Sequence, residues 1–254
     1  MAKLNRDGVD IYYEVHGEGP PLLLTHGYSA TSQMWRGQVA PFSKAYTLIT
    51  WDMRGHGQSD YPTDQKAYSE KATVADMAAI LDAVGAKTAI IGGLSLGGYM
   101  SLAFHLAHPD RTRALLIIDT GPGYKRDEPR EGWNQNALQT AQRYEKDGLA
   151  RLAAGSAEMQ TATHRSAEGL ARAARGMLIQ RDARVINSLP DIAVPSLVVV
   201  GANDTPFLAA SDYMAGKIPG ARKVVIPDAG HAANIDQPQA FNTAVLDFLA
   251  TLPH

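Results

Sequence analysis

Six short apolar runs punctuate the chain, at residues 22–24, 47–51, 88–91, 114–118, 196–200 and 223–226. Their apolar positions are continuous rather than alternating, as in parallel strands covered by helices on both faces. Residues 11–15 mix in polar positions and read as a strand at an antiparallel edge. Between the runs the apolar period lengthens to three and four. It predicts helices over 74–84, closed by Gly85, over 96–108, closed by Pro109, and over 238–252. In the second of these, Leu96, Met100, Ala103 and Ala107 share one stripe. Strands alternating with helices predict an α/β fold with a doubly wound, mostly parallel sheet.

The alternation lapses between Gly121 and Leu189. That stretch opens with Gly121-Pro122-Gly123, carries no strand-like run, and has helix-period patches at 133–148 and 167–181. It predicts a helical cap, residues 121–189, inserted into a core built from 1–120 and 190–254. A cap over a reactive group supplies a pocket and excludes water. Trp133, Tyr144, Met159 and Met177 are its large side chains, available either to line a pocket or to pack against the core. Arg172, Arg175 and Arg181, interleaved with alanine and Glu168, describe a solvated helix face rather than a binding patch.

One motif joins a predicted strand to a predicted helix: Gly93-Leu94-Ser95-Leu96-Gly97, read as G-x-S-x-G. A serine at such a turn takes a strained backbone, and its glycine neighbours let strand and helix approach. The turn lifts the Ser95 hydroxyl off the sheet and aims helix N–H groups at whatever it attacks. A serine is a poor nucleophile without a base and a group to orient that base. His231 follows the run 223–226 in Pro227-Asp228-Ala229-Gly230-His231, and Asp204 follows 196–200 in Gly201-Ala202-Asn203-Asp204. All three stand past the carboxyl ends of buried strands, the rim where open α/β sheets place their sites. Two alternatives stay open for the acid. Asp204 precedes Thr205-Pro206-Phe207, a helix start that it could merely cap, and Asp119 follows the run 114–118 in an equivalent position. The Leu96 N–H and the Tyr28 N–H, after the run 22–24 and His26-Gly27, are the expected oxyanion donors. His26 is expected to brace that loop, and the Tyr28 hydroxyl is a candidate substrate contact.

These motifs, with Met34-Trp35, Asp52-Met53-Arg54-Gly55-His56-Gly57-Gln58-Ser59 and Gly230-His231, fall in an order that resembles the α/β-hydrolase superfamily nearly end to end. Within it the pattern is similar to 3-oxoadipate enol-lactonases, small carboxylesterases and cofactor-free haloperoxidases. The resemblance implies an eight-stranded sheet, a Ser95–His231–Asp204 triad with Tyr28 and Leu96 as the oxyanion hole, no cofactor, and a small ester or lactone as substrate. In some related folds the acid sits on the earlier strand, which keeps Asp119 in view. Serine at 95, where epoxide hydrolases and haloalkane dehalogenases carry aspartate, argues against both chemistries. Tyr28, where hydroxynitrile lyases usually carry threonine, argues against that branch. Perhydrolysis, C–C bond hydrolysis, acyl transfer and a non-enzymatic ligand receptor remain as rivals on the same fold. The 52–57 loop is expected to be structural.

Composition removes other classes. A net charge of −2 supplies no field for nucleic acid or an anionic membrane surface. The chain has no cysteine, so disulfides, thiolate metal sites and a cysteine nucleophile are excluded together. One aspartate and one histidine in the 52–57 loop do not make a metal site. No stretch is apolar for the roughly 18 residues a membrane helix requires, and the first eight residues lack the apolar centre of a signal peptide. The expected location is cytoplasmic, with a homo-oligomer left open.

Overall fold

The computed structural model describes residues 2–253 and contains every predicted strand together with one that the sequence pattern did not announce. The strands are β1 (Ala2–Arg6), β2 (Val9–His16), β3 (Pro21–Thr25), β4 (Thr47–Trp51), β5 (Ala89–Leu94), β6 (Thr112–Ile118), β7 (Ser196–Gly201) and β8 (Arg222–Ile226). They form one eight-stranded sheet in the order β1-β2-β4-β3-β5-β6-β7-β8. β2 pairs antiparallel with both β1 and β4, and every pairing from β4 to β8 is parallel. The strand predicted at 11–15 is therefore second from the edge. β1 lies outside it, mostly exposed, and so lacks the apolar run that would reveal it. A local signal did exist. Asp7-Gly8 links the two strands with φ of 54° and 76°, the paired positive angles of a two-residue hairpin turn.

The helices are α1 (Arg36–Phe42), α2 (Glu70–Ala83), α3 (Leu96–Ala107), α4 (Asp127–Asp147), α5 (Ala157–Gln160), α6 (Ala167–Ala173), α7 (Arg184–Asn187), α8 (Thr205–Lys217), α9 (Ala233–Asp236) and α10 (Pro238–Leu249). Alternate residues of each parallel strand face opposite layers. Leu23, Ile49, Ile91, Leu115 and Val198 pack with Met77 and Ile80 of α2, Met100 and Phe104 of α3 and Met214 of α8. Leu24, Leu48, Ile90, Leu116 and Val199 pack with Phe42 of α1 and with Phe241, Val245 and Phe248 of α10. Both faces of β3 to β7 are covered, which is why those strands read as unbroken apolar runs, whereas β8, expected to be buried, is the sheet's other edge and leaves Val225 exposed.

Between β6 and β7 the chain is helical. α4 begins six residues before the apolar period does, because its first turn is Asp127-Glu128, charges favoured at a helix N-terminus but silent as a hydrophobic pattern. Ala141, Tyr144, Leu152, Leu170, Ala171 and Ala174 bury against one another as a small separate cluster. Ala173 and Met177 join the main core instead and fasten these helices to the sheet layer. No helix among the described residues is long and apolar enough to cross a membrane.

Candidate active site

A single residue, Ser95, separates β5 from α3. Its φ of 56° and ψ of −117° lie where a side chain is strained. The surroundings hold it there. Ser95 N–H donates to Ile118 O at 2.9 Å, and Thr120 Oγ donates to Ser95 O at 2.6 Å, so the end of β6 pins the turn from both sides. A Cβ at Gly97 would overlap the Thr25 carbonyl, and one at Gly93 would overlap the backbone of Gly97. Only glycine permits β3, β5 and α3 to converge so tightly. The Ser95 side chain is left half-buried beneath the helices of 121–189.

The loops after β7 and β8 are laced together by backbone bonds, Ala202 N–H to Ile226 O at 2.9 Å and Asn203 N–H to Ala229 O at 2.8 Å. That lacing brings Asp204 to His231, whose Nδ1 lies 2.9 Å from Asp204 Oδ2. Asp204 precedes α8 yet makes no side-chain cap there, so capping is not what its carboxylate does. With Nδ1–H directed at the carboxylate, Nε2 is the ring nitrogen free for proton transfer. Burial depresses the His231 pKa, but the Asp204 hydrogen bond and charge, with Glu158 and Asp119 adding, outweigh it and leave the pKa above the usual histidine value. The ring stacks on Phe207, centroids 5.1 Å apart and planes 27° from parallel.

Asp119 takes a different part. It is fully buried, with φ of 44°, and its oxygens accept from Gly201 N–H at 2.8 Å and Ala233 N–H at 3.4 Å. Burial pushes its carboxyl up to about 8, against those bonds and the nearby His231, with the Asp204 charge raising it further. Of the two acids that the sequence leaves open, Asp204 bonds the imidazole and Asp119 braces the backbone beneath it.

Leu96 occupies the first position of α3, where helix geometry supplies no acceptor for its N–H. The Tyr28 N–H has no hydrogen-bond acceptor among the described residues. The Tyr28 hydroxyl, a candidate substrate contact, donates to Leu170 O at 2.8 Å and so faces the inserted helices. The next residue, Ser29, has φ of 61° and is gripped from three directions. Its N–H donates to His56 Nε2 at 3.2 Å, its carbonyl lies 3.0 Å from His164 Nε2, and its hydroxyl accepts from Tyr144 at 2.8 Å. His26 braces the same loop as expected, between Gly27 O and the Met53 N–H. Burial drives all three imidazoles toward neutrality, His26 and His164 to about 4 and His56 well below its ordinary value. The structural reading of 52–57 fits these contacts, since Asp52 accepts from Ser32 and Gln58 N–H groups and Arg54 pairs with Asp76. His164 carried no sequence signal at all, lying in a loop with neither motif nor apolar period.

Ser95 and Leu96 open into a cavity of about 190 Å³. Its walls are chiefly Tyr99, Tyr124, Trp133, Met177, Leu178 and Phe207. Of the four large side chains singled out in 121–189, Trp133 and Met177 therefore line the cavity. Tyr144 and Met159 pack in the inserted cluster. Trp133 is oriented by its indole N–H, which donates to Leu178 O at 2.7 Å. Among the described residues no group of three or more His, Cys, Asp or Glu side chains is placed to hold a metal ion.

Residues 20–171 match the family model for the alpha/beta hydrolase fold. 3-Oxoadipate enol-lactonase 1 of Acinetobacter baylyi is 27% identical, the match covering 93% of this chain and 92% of that one. Among solved structures, a thermophilic esterase from Thermogutta terrifontis superposes with a TM-score of 0.86 at 28% identity, over 98% of both chains. The enol-lactonase from Burkholderia xenovorans LB400 superposes with a TM-score of 0.78 at 28% identity, over 98% of this chain and all of that one.

Proposed function

This chain belongs to the alpha/beta hydrolase fold family, and we propose that it cleaves esters or lactones of small carboxylic acids through Ser95, His231 and Asp204. One contact carries the reading: the 2.9 Å bond from His231 to Asp204, formed at the strand rim where Ser95 stands in its strained turn. The esterase and enol-lactonases similar to this chain support acyl chemistry.

The chemistry follows from the parts. His231 Nε2 takes the Ser95 proton as Oγ attacks the carbonyl carbon. Asp204 holds the imidazole in the required tautomer and stabilises the imidazolium that forms. The Leu96 and Tyr28 N–H groups receive the negative oxygen of the tetrahedral intermediate, a single such donor lowering the barrier by about 3 to 4 kcal/mol. Collapse releases the alcohol with the proton from His231. Water then attacks the acyl-enzyme by the same route and frees the acid. Residues 121–189 act in this scheme as the cap, walling the cavity from bulk water so that the oxyanion contacts operate at low dielectric.

A fluorophosphonate probe should label Ser95 stoichiometrically and abolish hydrolysis of p-nitrophenyl butyrate. Ser95→Ala should lower kcat by about 10⁴-fold or more. Turnover that survives Ser95→Ala, or labelling at another residue with activity retained, overturns the proposal.

A further inference from the structure

The loop that carries the Tyr28 N–H is a tight turn. Ala30 N–H donates to Gly27 O at 3.1 Å, which leaves Tyr28 and Ser29 at the two corners. The turn lies directly against the nucleophile, since a Cβ at Gly27 would stand 3.4 Å from that of Ser95. His26 accepts the Met53 N–H on Nε2, so its Nδ1 carries the proton and donates to Gly27 O at 2.7 Å. In a planar trans peptide the N–H points opposite to the carbonyl. Two donors on Gly27 O therefore fix where the Tyr28 N–H points.

The second corner is the weak one. A positive φ at that position of a turn ordinarily selects glycine. Here it is Ser29, at 61°, and a side chain keeps such an angle only when its surroundings impose it. The core supplies one constraint, His56, which accepts the Ser29 N–H at 3.2 Å. The others come from the inserted helices. Tyr144 of α4, 1% exposed, donates its hydroxyl to Ser29 Oγ at 2.8 Å. Burial raises the Tyr144 pKa, so that hydroxyl keeps its proton. His164, between α5 and α6, accepts the Gly57 N–H on Nδ1 at 3.1 Å, so its Nε2–H donates to the Ser29 carbonyl at 3.0 Å. The first corner is tied to the same body. The Tyr28 hydroxyl donates to Leu170 O of α6 at 2.8 Å, and its ring meets Tyr144 edge-on with centroids 6.0 Å apart. Three separate pieces of the insertion thus end on two consecutive residues beside Ser95. Neither Tyr144 nor His164 lines the cavity, so both act on the turn and not on what the cavity holds.

Resting on the oxyanion reading above, we propose that Tyr144 and His164 are positioning residues. From the inserted helices they hold Ser29 in its strained corner and so keep the Tyr28 N–H aimed at the oxyanion. The insertion then helps to lower the barrier, besides walling the pocket.

Tyr144→Phe and Ser29→Ala delete the same hydrogen bond from its two ends, and neither changes a cavity residue. With p-nitrophenyl butyrate each should lower kcat by about tenfold at nearly constant KM. The double variant should lose no more than either single one. His164→Ala cuts the other tie and should act alike, while His164→Gln, which keeps a donor, should recover part of the loss. Two inhibitors separate the oxyanion from the pocket. 1,1,1-Trifluoro-2-pentanone adds Ser95 Oγ at its carbonyl carbon, the serine proton passing to His231, and leaves its oxygen as an anion, whereas butyramide forms no bond to Ser95. The ketone Ki should rise about tenfold in each variant, and the butyramide Ki should stay within about twofold. Ketone affinity unmoved by Tyr144→Phe and Ser29→Ala, a loss confined to KM, or additive losses in the double variant overturns the proposal. If Tyr144→Phe fails to fold, Ser29→Ala reads the same bond alone. Any of these results with Ser95 still labelled by fluorophosphonate strikes the positioning role only. No labelling and no turnover in the unmodified protein strikes the esterase reading, and this proposal with it.

Discussion

Replacing Asp204 by asparagine changes one atom and the charge, and separates the two acids cleanly. In the native site His231 Nδ1 faces Asp204 Oδ2 at 2.9 Å, and no other side chain competes for that nitrogen. An amide there can present either C=O or NH₂ to the ring. With NH₂ turned inward, Nδ1 becomes the acceptor, Nε2 carries the proton, and the base can no longer receive hydrogen from Ser95. Even with C=O turned inward, the imidazolium loses its counter-charge. Measured losses for this kind of change reach about 10⁴-fold in kcat, so Asp204→Asn should lose between roughly 10³- and 10⁴-fold. The pH profile supplies an independent sign. In the native site the bond and charge of Asp204 outweigh burial and raise the His231 pKa, so activity should climb through neutral pH as that group deprotonates. Without Asp204 burial dominates, and the acid limb should move to lower pH while the plateau collapses. Asp119→Asn keeps an acceptor for Gly201 N–H and should cost less than about tenfold in kcat. Its signature is in stability. With the folded pKa near 8 and the unfolded value near 4, Asp119 favours folding most at low pH, and that contribution is lost as pH rises from about 4 through 8. A permanently neutral side chain removes this loss, so the unfolding midpoint of Asp119→Asn should gain on the native protein between pH 5 and pH 8. The assays are kcat/KM for p-nitrophenyl butyrate from pH 5 to 9 and urea unfolding followed by circular dichroism. A loss below tenfold for Asp204→Asn, or an acid limb that moves upward, refutes the argument, as does an equal loss for Asp119→Asn.

Two further outcomes follow from the same geometry. His26, His56 and His164 are held neutral, each accepting a backbone N–H on one ring nitrogen and facing a carbonyl with the other. Their folded pKa values lie below the unfolded value of about 6.5, so their contribution is present above that pH and lost as pH falls toward 4. The urea midpoint should therefore drop between pH 7 and pH 4.5, less steeply in His164→Gln, and a flat midpoint would contradict it. The cavity holds about 190 Å³ and Trp133 and Tyr124 are among its walls, so kcat/KM should fall from butyryl to palmitoyl p-nitrophenyl esters, and a rise along that series would contradict a pocket of that size.

What could be read from the chain alone was whatever a local pattern encodes. Parallel strands buried on both faces are continuously apolar, so β3 to β7 and the doubly wound sheet were legible from period alone, and β8, an apolar run at an exposed edge, was legible as a strand but not as an edge. The turn at Ser95 was legible because its geometry demands glycines at fixed offsets from the serine. β1 escaped because an exposed hairpin partner has no apolar signature, although Asp7-Gly8 marked its turn. The choice between Asp204 and Asp119 was not local. Both follow buried strands and both precede turns, and only the lacing of the loops after β7 and β8 decides which carboxylate meets His231. The same holds for Ser29, held by His56, His164 and Tyr144 from separate stretches of chain, and for the Tyr28 hydroxyl, drawn away to Leu170. Hydrophobic period and turn chemistry act between neighbours in sequence, whereas hydrogen-bond partners and unpaired buried atoms arise between residues that only packing brings together.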